Sequence, residues 1–151
     1  MPLKYDKQPI KVSSQSRSRA EESLKKIQLT PGMTANEVVE AVAELIGKPI
    51  VLESTVDERF KTTTGSFAIT LDFVFIVFRG IDPRSYQMHS LFHELGHLLS
   101  GHSYCERPAV APDVDPAQQL LWNDAEREAE FLAYRIAALI GRKTRSSQAF
   151  G

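Results

Sequence analysis

The segment His93-Glu94-Leu95-Gly96-His97 constrains the fold of this 151-residue chain more than any other. It lies in a strongly apolar pattern that starts at Asp82-Pro83 and predicts a helix over residues 83–100. Residues four apart share one face of a helix, with Cβ atoms about 5–6 Å apart, so the two histidines point the same way. The opposite face carries leucines that would anchor the helix in a core: Leu91, Leu95 and Leu98.

Two imidazoles at this spacing can bind one Zn²⁺ at about 2.0–2.1 Å. Glu94 is rotated by about 100° from His93, so it does not share the ligand geometry and can instead take a proton from a water that zinc activates. Gly96 costs roughly 1 kcal/mol of helix propensity, which predicts that another element approaches closely there. The alternative interpretation is a pair of surface histidines on an amphipathic helix.

A third zinc ligand is expected from the last helix, predicted from Pro116 to about Ile140. Its acidic segment, residues 124–133, places Glu126 and Glu130 on one face with small residues, and Glu128 about 200° away from Glu126. We therefore predict Glu126 as the ligand and Glu130 as the acceptor of a hydrogen bond from a ligand imidazole. The alternative is a solvated helix start favoured by the helix dipole.

At this point the sequence resembles the ImmA/IrrE-type zinc metallopeptidase domain family. The resemblance rests on His-Glu-Leu-Gly-His-Leu-Leu at 93–99 and Glu-Arg-Glu-Ala-Glu-Phe-Leu-Ala at 126–133, and in layout it covers residues 34–140. It implies a small zincin-like domain in which His93 and His97 bind zinc, Glu94 is the catalytic base and Glu126 is the third ligand. The family's Arg-x-Arg-Phe-Thr-like lead into the motif and its Leu-Leu-Met-Pro segment after the last helix are not found here.

The family is bacterial, phage-linked or carried on mobile elements, and its members relieve repression by inactivating a helix-turn-helix repressor encoded nearby. The resemblance therefore implies a cytoplasmic zinc-dependent metallopeptidase with a narrow protein substrate, a helix-turn-helix repressor, acting in phage, mobile-element or stress-response regulation. The alternative hypothesis is a metal-bearing module that sequesters a repressor or toxin without hydrolysing it. The short chain, with no second domain expected, motivates that alternative.

Composition excludes several other classes of protein. The formal net charge is −1, so no overall charge draws the molecule to nucleic acid, and a direct nucleic-acid contact is not expected. The longest apolar run, Phe73–Phe78, is far too short to span a bilayer, so no membrane association is expected. The single cysteine, Cys105, rules out an internal disulfide framework and suits a reducing compartment.

The remaining pattern predicts an α+β domain with N-terminal helices, a roughly three-stranded sheet, the histidine-bearing helix and the last helix. Residues 1–151 are expected to form one domain, with residues 1–17 and 142–151 as flexible ends and residues 102–116 as a loop. Helices are predicted over residues 18–29 and from the capping box at Thr34 to Gly47. Strands are predicted at residues 50–53, 66–71 and 73–78.

Two points stay open at this level. The strand 73–78 is nearly all apolar, so we expect both of its faces to be covered, and it is either a plain central strand or the neighbour of an edge that receives an extended peptide. Four side chains are possible donors to a reacting carbonyl oxygen, and the sequence does not choose among them: Tyr86, His89, His102 and Tyr104. For His89, a structural histidine with satisfied hydrogen bonds is the alternative.

Overall fold

The computed structural model describes residues 12–56, 65–102 and 116–141, with side chains of the last segment described from residue 123 onward. These residues form four helices and a three-stranded mixed sheet, which confirms the α+β class. The elements are α1 (Ser14–Lys25), α2 (Ala35–Ile46), β1 (Ile50–Thr55), β2 (Gly65–Ile69), β3 (Val74–Arg79), α3 (Arg84–Leu99) and α4 (Pro116–Ile140).

The first helix begins and ends four residues before the predicted span of 18–29. Ser13 accepts a hydrogen bond from the backbone N–H of Ser16 and so caps the helix earlier than its apolar residues indicate. The predicted flexible end at residues 1–17 therefore includes four helical residues, Ser14–Arg17, while residues 1–11 and 142–151 lie outside the described residues. Ile27 and Leu29, which extended the predicted helix, pack on the core from the segment that follows it.

The second helix confirms the capping-box prediction. Thr34 accepts from the N–H of Glu37 at 3.1 Å, and the Glu37 carboxylate accepts from the N–H of Thr34 at 3.2 Å. Gly47 ends the helix in the left-handed conformation, with φ of 74°. Side chains therefore satisfy two of the amide groups that a helix start leaves unbonded.

The sheet has the order β1-β3-β2, with β1 parallel and β2 antiparallel to β3. The last predicted strand is thus the central one. Val74 and Ile76 are buried, whereas the alternating residues Phe75 and Val77 are only half-buried. The expectation that both faces of this strand are covered is therefore met only in part, because the residues of one face are buried and those of the other are half-buried.

Helix α3 occupies the centre of the described structure. It packs against α1, α2 and α4 and against strands β2 and β3. Leu91, Leu95 and Leu98 are all buried, as the sequence predicts. The helix that carries the histidines is therefore held on several sides at once. No helix among the described residues is long and apolar enough to cross a membrane.

Candidate metal centre

The two histidines of the motif lie side by side on α3. Their ring centroids are 4.8 Å apart, with an angle of 82° between the ring planes. The His97 side chain is only 1% exposed and that of His93 is 18% exposed, so the pair is not a pair of surface histidines. One face of the helix therefore presents two imidazoles at the rim of the core.

Helix α4 brings a carboxylate to this pair, as predicted. Oε2 of Glu126 lies 3.5 Å from Nε2 of His93 and in contact with Nε2 of His97. One ligand atom from each of the three residues lies within 4.8 Å of the others. Ligands about 2.0–2.1 Å from a tetrahedral ion are separated by about 3.3 Å, so small side-chain adjustments would complete the site. This group can hold a metal ion.

The carboxylate of Glu130 supports the histidine ligand from behind. Its Oε1 accepts from Nδ1 of His93 at 3.1 Å, which leaves the other ring nitrogen of His93 directed at Glu126. The same Oε1 lies 2.6 Å from Nε2 of His89, whose ring also packs edge-on against Tyr134. Glu130 thus occupies the position predicted for it. His89 forms a hydrogen bond with Glu130, which agrees with the alternative of a structural histidine.

Both carboxylates of the cluster are stabilised in their charged form. Burial raises the pKa of each, but hydrogen bonds from the neighbouring histidines outweigh burial. His93 and His97 hold the pKa of Glu126 well below its usual range, and His89 and His93 lower the pKa of Glu130 to about 2. The carboxylates are therefore ionised at neutral pH, as metal binding requires.

His97 is held neutral, which also favours metal binding. Burial is the largest cause that lowers its pKa, and the neighbouring His93 adds to the effect, while the carboxylates of Glu126 and Glu128 oppose it. A neutral imidazole has a lone pair to offer on one nitrogen. The site therefore combines a charged oxygen ligand, Glu126, with an uncharged nitrogen ligand, His97.

Glu94 lies beside the cluster, on the side of strand β2. It is 2% exposed and belongs to the core face of α3. A Cβ atom on Gly65, the first residue of β2, would lie 3.4 Å from its Oε1, so the strand passes directly over this carboxylate. The ring of Phe67 in the same strand stands 5.7 Å from that of His97. Glu94 is thus placed between the histidine pair and an edge strand of the sheet.

Glu128 faces away from the cluster, in agreement with the helical geometry. Its carboxylate is buried and accepts a hydrogen bond from Arg19 of α1 at 3.2 Å. Although it is two residues from Glu126, it ties the first helix to the last instead of joining the metal group.

The histidine after α3 has a role that sequence reasoning missed. Nδ1 of His102 lies 2.9 Å from Nδ1 of His97. The helix ends at Leu99, so helical geometry does not determine where His102 lies. A glycine directly before it, Gly101, is the signal that could have revealed this return of the chain.

Tyr86 is not joined to the cluster by any contact that the described structure shows. Tyr86 is half-buried in the first turn of α3, two turns before His93. Tyr104 and Cys105 lie outside the described residues, as does most of the predicted loop at 102–116.

Comparisons with protein-family models, with curated proteins and with solved structures gave no match for this chain.

Proposed function

We propose that this protein is a zinc-dependent metallopeptidase. The observation that carries the proposal is the convergence of His93, His97 and Glu126 on one point at the surface of the core. Two imidazoles and one carboxylate are a donor set that zinc accepts in hydrolytic enzymes, where the remaining position is left for water or substrate. A purely structural zinc site would be expected to have four protein ligands, whereas this group of described residues supplies three.

When bound, zinc would supply a Lewis acid that activates water and polarises a peptide carbonyl. Glu94 supplies the base: its carboxylate takes the proton from the attacking water and passes it to the departing amine. Its burial between α3 and the start of β2 shields this proton transfer from bulk solvent. His93 and His97 hold the reaction centre in place through the rigid helix that also carries Glu94.

The substrate is proposed to bind along strand β2. This strand is one edge of the sheet, and its first residue lies over Glu94. An extended peptide can add to a sheet edge through main-chain hydrogen bonds, which brings a peptide bond to a fixed position. The scissile bond would then lie between Glu94 and the metal ligands.

The resemblance to the ImmA/IrrE-type family supports a zincin-like identity for the fold and a helix-turn-helix repressor as the substrate. A chain with a formal charge of −1 has little general attraction for DNA, which fits a protein substrate better than direct DNA binding. The proposed setting is the bacterial cytoplasm, in phage, mobile-element or stress-response regulation.

The proposal is tested by co-expressing the protein with a helix-turn-helix repressor encoded beside it. We expect a repressor fragment with the wild type and none with Glu94→Gln, which keeps the size of the side chain and leaves the three ligands in place. Zinc content and circular dichroism of Glu94→Gln should match the wild type. A stable complex that forms equally well with both proteins, without any cleaved product, would contradict hydrolysis and favour the non-hydrolytic binding module.

A further inference from the structure

The hydrogen bond between His97 and His102 joins a proposed metal ligand to a residue outside the ligand set. Their Nδ1 atoms are 2.9 Å apart and their ring centroids 5.1 Å apart, with an angle of 62° between the ring planes. Only one of the two Nδ1 atoms can carry the proton of this bond, since one must donate and the other must accept. A proton on Nδ1 of one ring therefore requires that Nδ1 of the other ring carries none.

The backbone at the end of α3 places His102 there. The N–H of Gly101 donates to the carbonyl of Leu98 at 3.1 Å, and the N–H of His102 donates to the carbonyl of His97 at 2.9 Å. These two bonds form a Schellman motif, with Gly101 in the left-handed conformation at φ of 76°. In this motif the second residue beyond the cap usually makes an apolar contact back to the helix. Here two imidazoles make that contact instead.

We propose that His102 is a positioning residue that fixes His97 in the tautomer that binds the metal. If Nε2 of His97, which faces Glu126, gives its lone pair to the metal, its proton must reside on Nδ1. That proton is then donated to Nδ1 of His102, so His102 must be neutral with its own proton on Nε2. This inference rests on the proposed zinc site and assigns His102 a role within it.

The surroundings of His102 suit this tautomer. His102 lines a cavity of about 280 Å³ together with Lys48, Leu98 and several apolar side chains. Such a space has room for water molecules that can accept the remaining N–H of His102. The hydrogen-bond partner of Nδ1 of His93 is the carboxylate of Glu130, whereas the partner of Nδ1 of His97 is the imidazole nitrogen of His102. The two histidine ligands are therefore oriented by different chemistry.

The test compares His102→Ala with His102→Asn, because the Asn side-chain oxygen can occupy the place of Nδ1 and accept the same hydrogen bond. Zinc affinity is measured by competition with a chromophoric chelator. We expect His102→Ala to bind zinc about 10- to 100-fold more weakly than the wild type and His102→Asn to stay within about threefold of it. Val39→Ala, a truncation of a core residue on α2, is the control for lost stability and should lower the melting temperature without weakening zinc binding.

A second measurement reads the tautomers directly. With only four histidines in the chain, two-bond ¹H–¹⁵N correlation spectra can assign every ring nitrogen in the zinc-loaded wild type. We expect the proton of His97 on Nδ1 and that of His102 on Nε2.

A proton on Nδ1 of His102, or equal zinc affinity in His102→Ala and the wild type, would overturn the role of His102 while leaving the metal centre intact. Equal weakening in His102→Ala and His102→Asn would overturn it as well. Failure of the wild type itself to bind zinc would instead overturn the proposed metal centre, and this inference with it.

Discussion

Gly96 on α3 lies directly against the backbone of Ala129 on α4. A Cβ atom on Gly96 would stand 2.6 Å from the carbonyl oxygen of Ala129 and 3.1 Å from its Cα. Gly96 is the residue before His97, and Ala129 follows Glu126 by three positions. The two helices therefore approach each other closely beside the ligands of the proposed metal site.

Replacing Gly96 with Ala should separate the two helices. The added methyl gains roughly 1 kcal/mol of helix propensity, but the overlap with backbone atoms that cannot rotate away costs about 1–3 kcal/mol. We expect a net loss in the free energy of unfolding and, because Glu126 moves away from the histidines, weaker zinc binding. Urea denaturation and chelator competition measure the two effects.

Gly47→Ala is the matched control for this substitution. Unlike Gly96, Gly47 has a positive φ that disfavours alanine, and nothing lies within 4 Å of its Cβ position at the end of α2. It should reduce stability and leave zinc affinity unchanged. Wild-type zinc affinity in Gly96→Ala would show that the contact between the helices does not set the ligand geometry.

Glu126 and Glu128 provide a comparison within one helix. Glu126→Gln removes the charged oxygen ligand, so we expect zinc affinity to fall by at least about 100-fold, judged against the effect of losing a ligand-supporting residue. Glu128→Gln weakens the bond to Arg19 and should reduce stability while zinc affinity stays close to wild type. Isothermal titration with zinc distinguishes them, and the reverse order of affinities would assign the third ligand to Glu128.

Glu130 should act through the orientation of His93. Glu130→Ala leaves Nδ1 of His93 and Nε2 of His89 without their common acceptor, so we expect zinc affinity to fall about 10- to 100-fold. Glu130→Gln retains one acceptor oxygen, so its zinc affinity should fall less than that of Glu130→Ala. Equal zinc affinities in the wild type, Glu130→Ala and Glu130→Gln would show that His93 needs no support from Glu130.

The sequence predicted the parts of the molecule that depend on regular geometry. The two histidines on one helix face and the choice of Glu126 over Glu128 follow from 3.6 residues per turn. The close approach at Gly96 follows from the low helix propensity of glycine. The capping box at Thr34 likewise follows from a local hydrogen-bond pattern. These features could be predicted because each involves residues near one another along the chain, or a steric requirement that only one residue type meets.

The parts that escaped prediction depend on where regular geometry stops or on distant partners. The contact of His102 with His97 could not be predicted because His102 lies beyond the end of α3, where helical geometry does not apply. The start of α1 was misjudged because a single hydroxyl at Ser13 outweighs an apolar pattern further along. The ion pair of Arg19 with Glu128 joins residues 109 positions apart, for which the sequence offers no local signal.

The metal-free protein should lose stability as the pH falls below about 6.5. Burial lowers the pKa of His97 and of His102 in the folded protein. Below about pH 6.5 the unfolded chain therefore binds more protons than the folded protein, and the free energy of unfolding decreases. Below about 4.5, Glu126 and Glu130 add to the loss in the same direction, because their pKa values are lowered in the folded protein.

Urea denaturation of the chelator-treated protein between about pH 7.5 and about pH 5 measures the first of these losses. The variant His97→Gln/His102→Asn lacks both buried imidazoles and should show a flatter dependence over that range. Stability of the wild type that is constant or rises toward pH 5 would contradict the assignment of neutral, buried histidines.

The zinc content of the purified wild-type protein tests the central claim most directly. Inductively coupled plasma mass spectrometry after reconstitution with zinc and removal of the excess should find one zinc ion per chain, and a His93→Ala/His97→Ala variant that is still folded should hold none. If fewer than about a tenth of the wild-type chains retain zinc under these conditions, His93, His97 and Glu126 are not a zinc centre and the proposed peptidase is wrong.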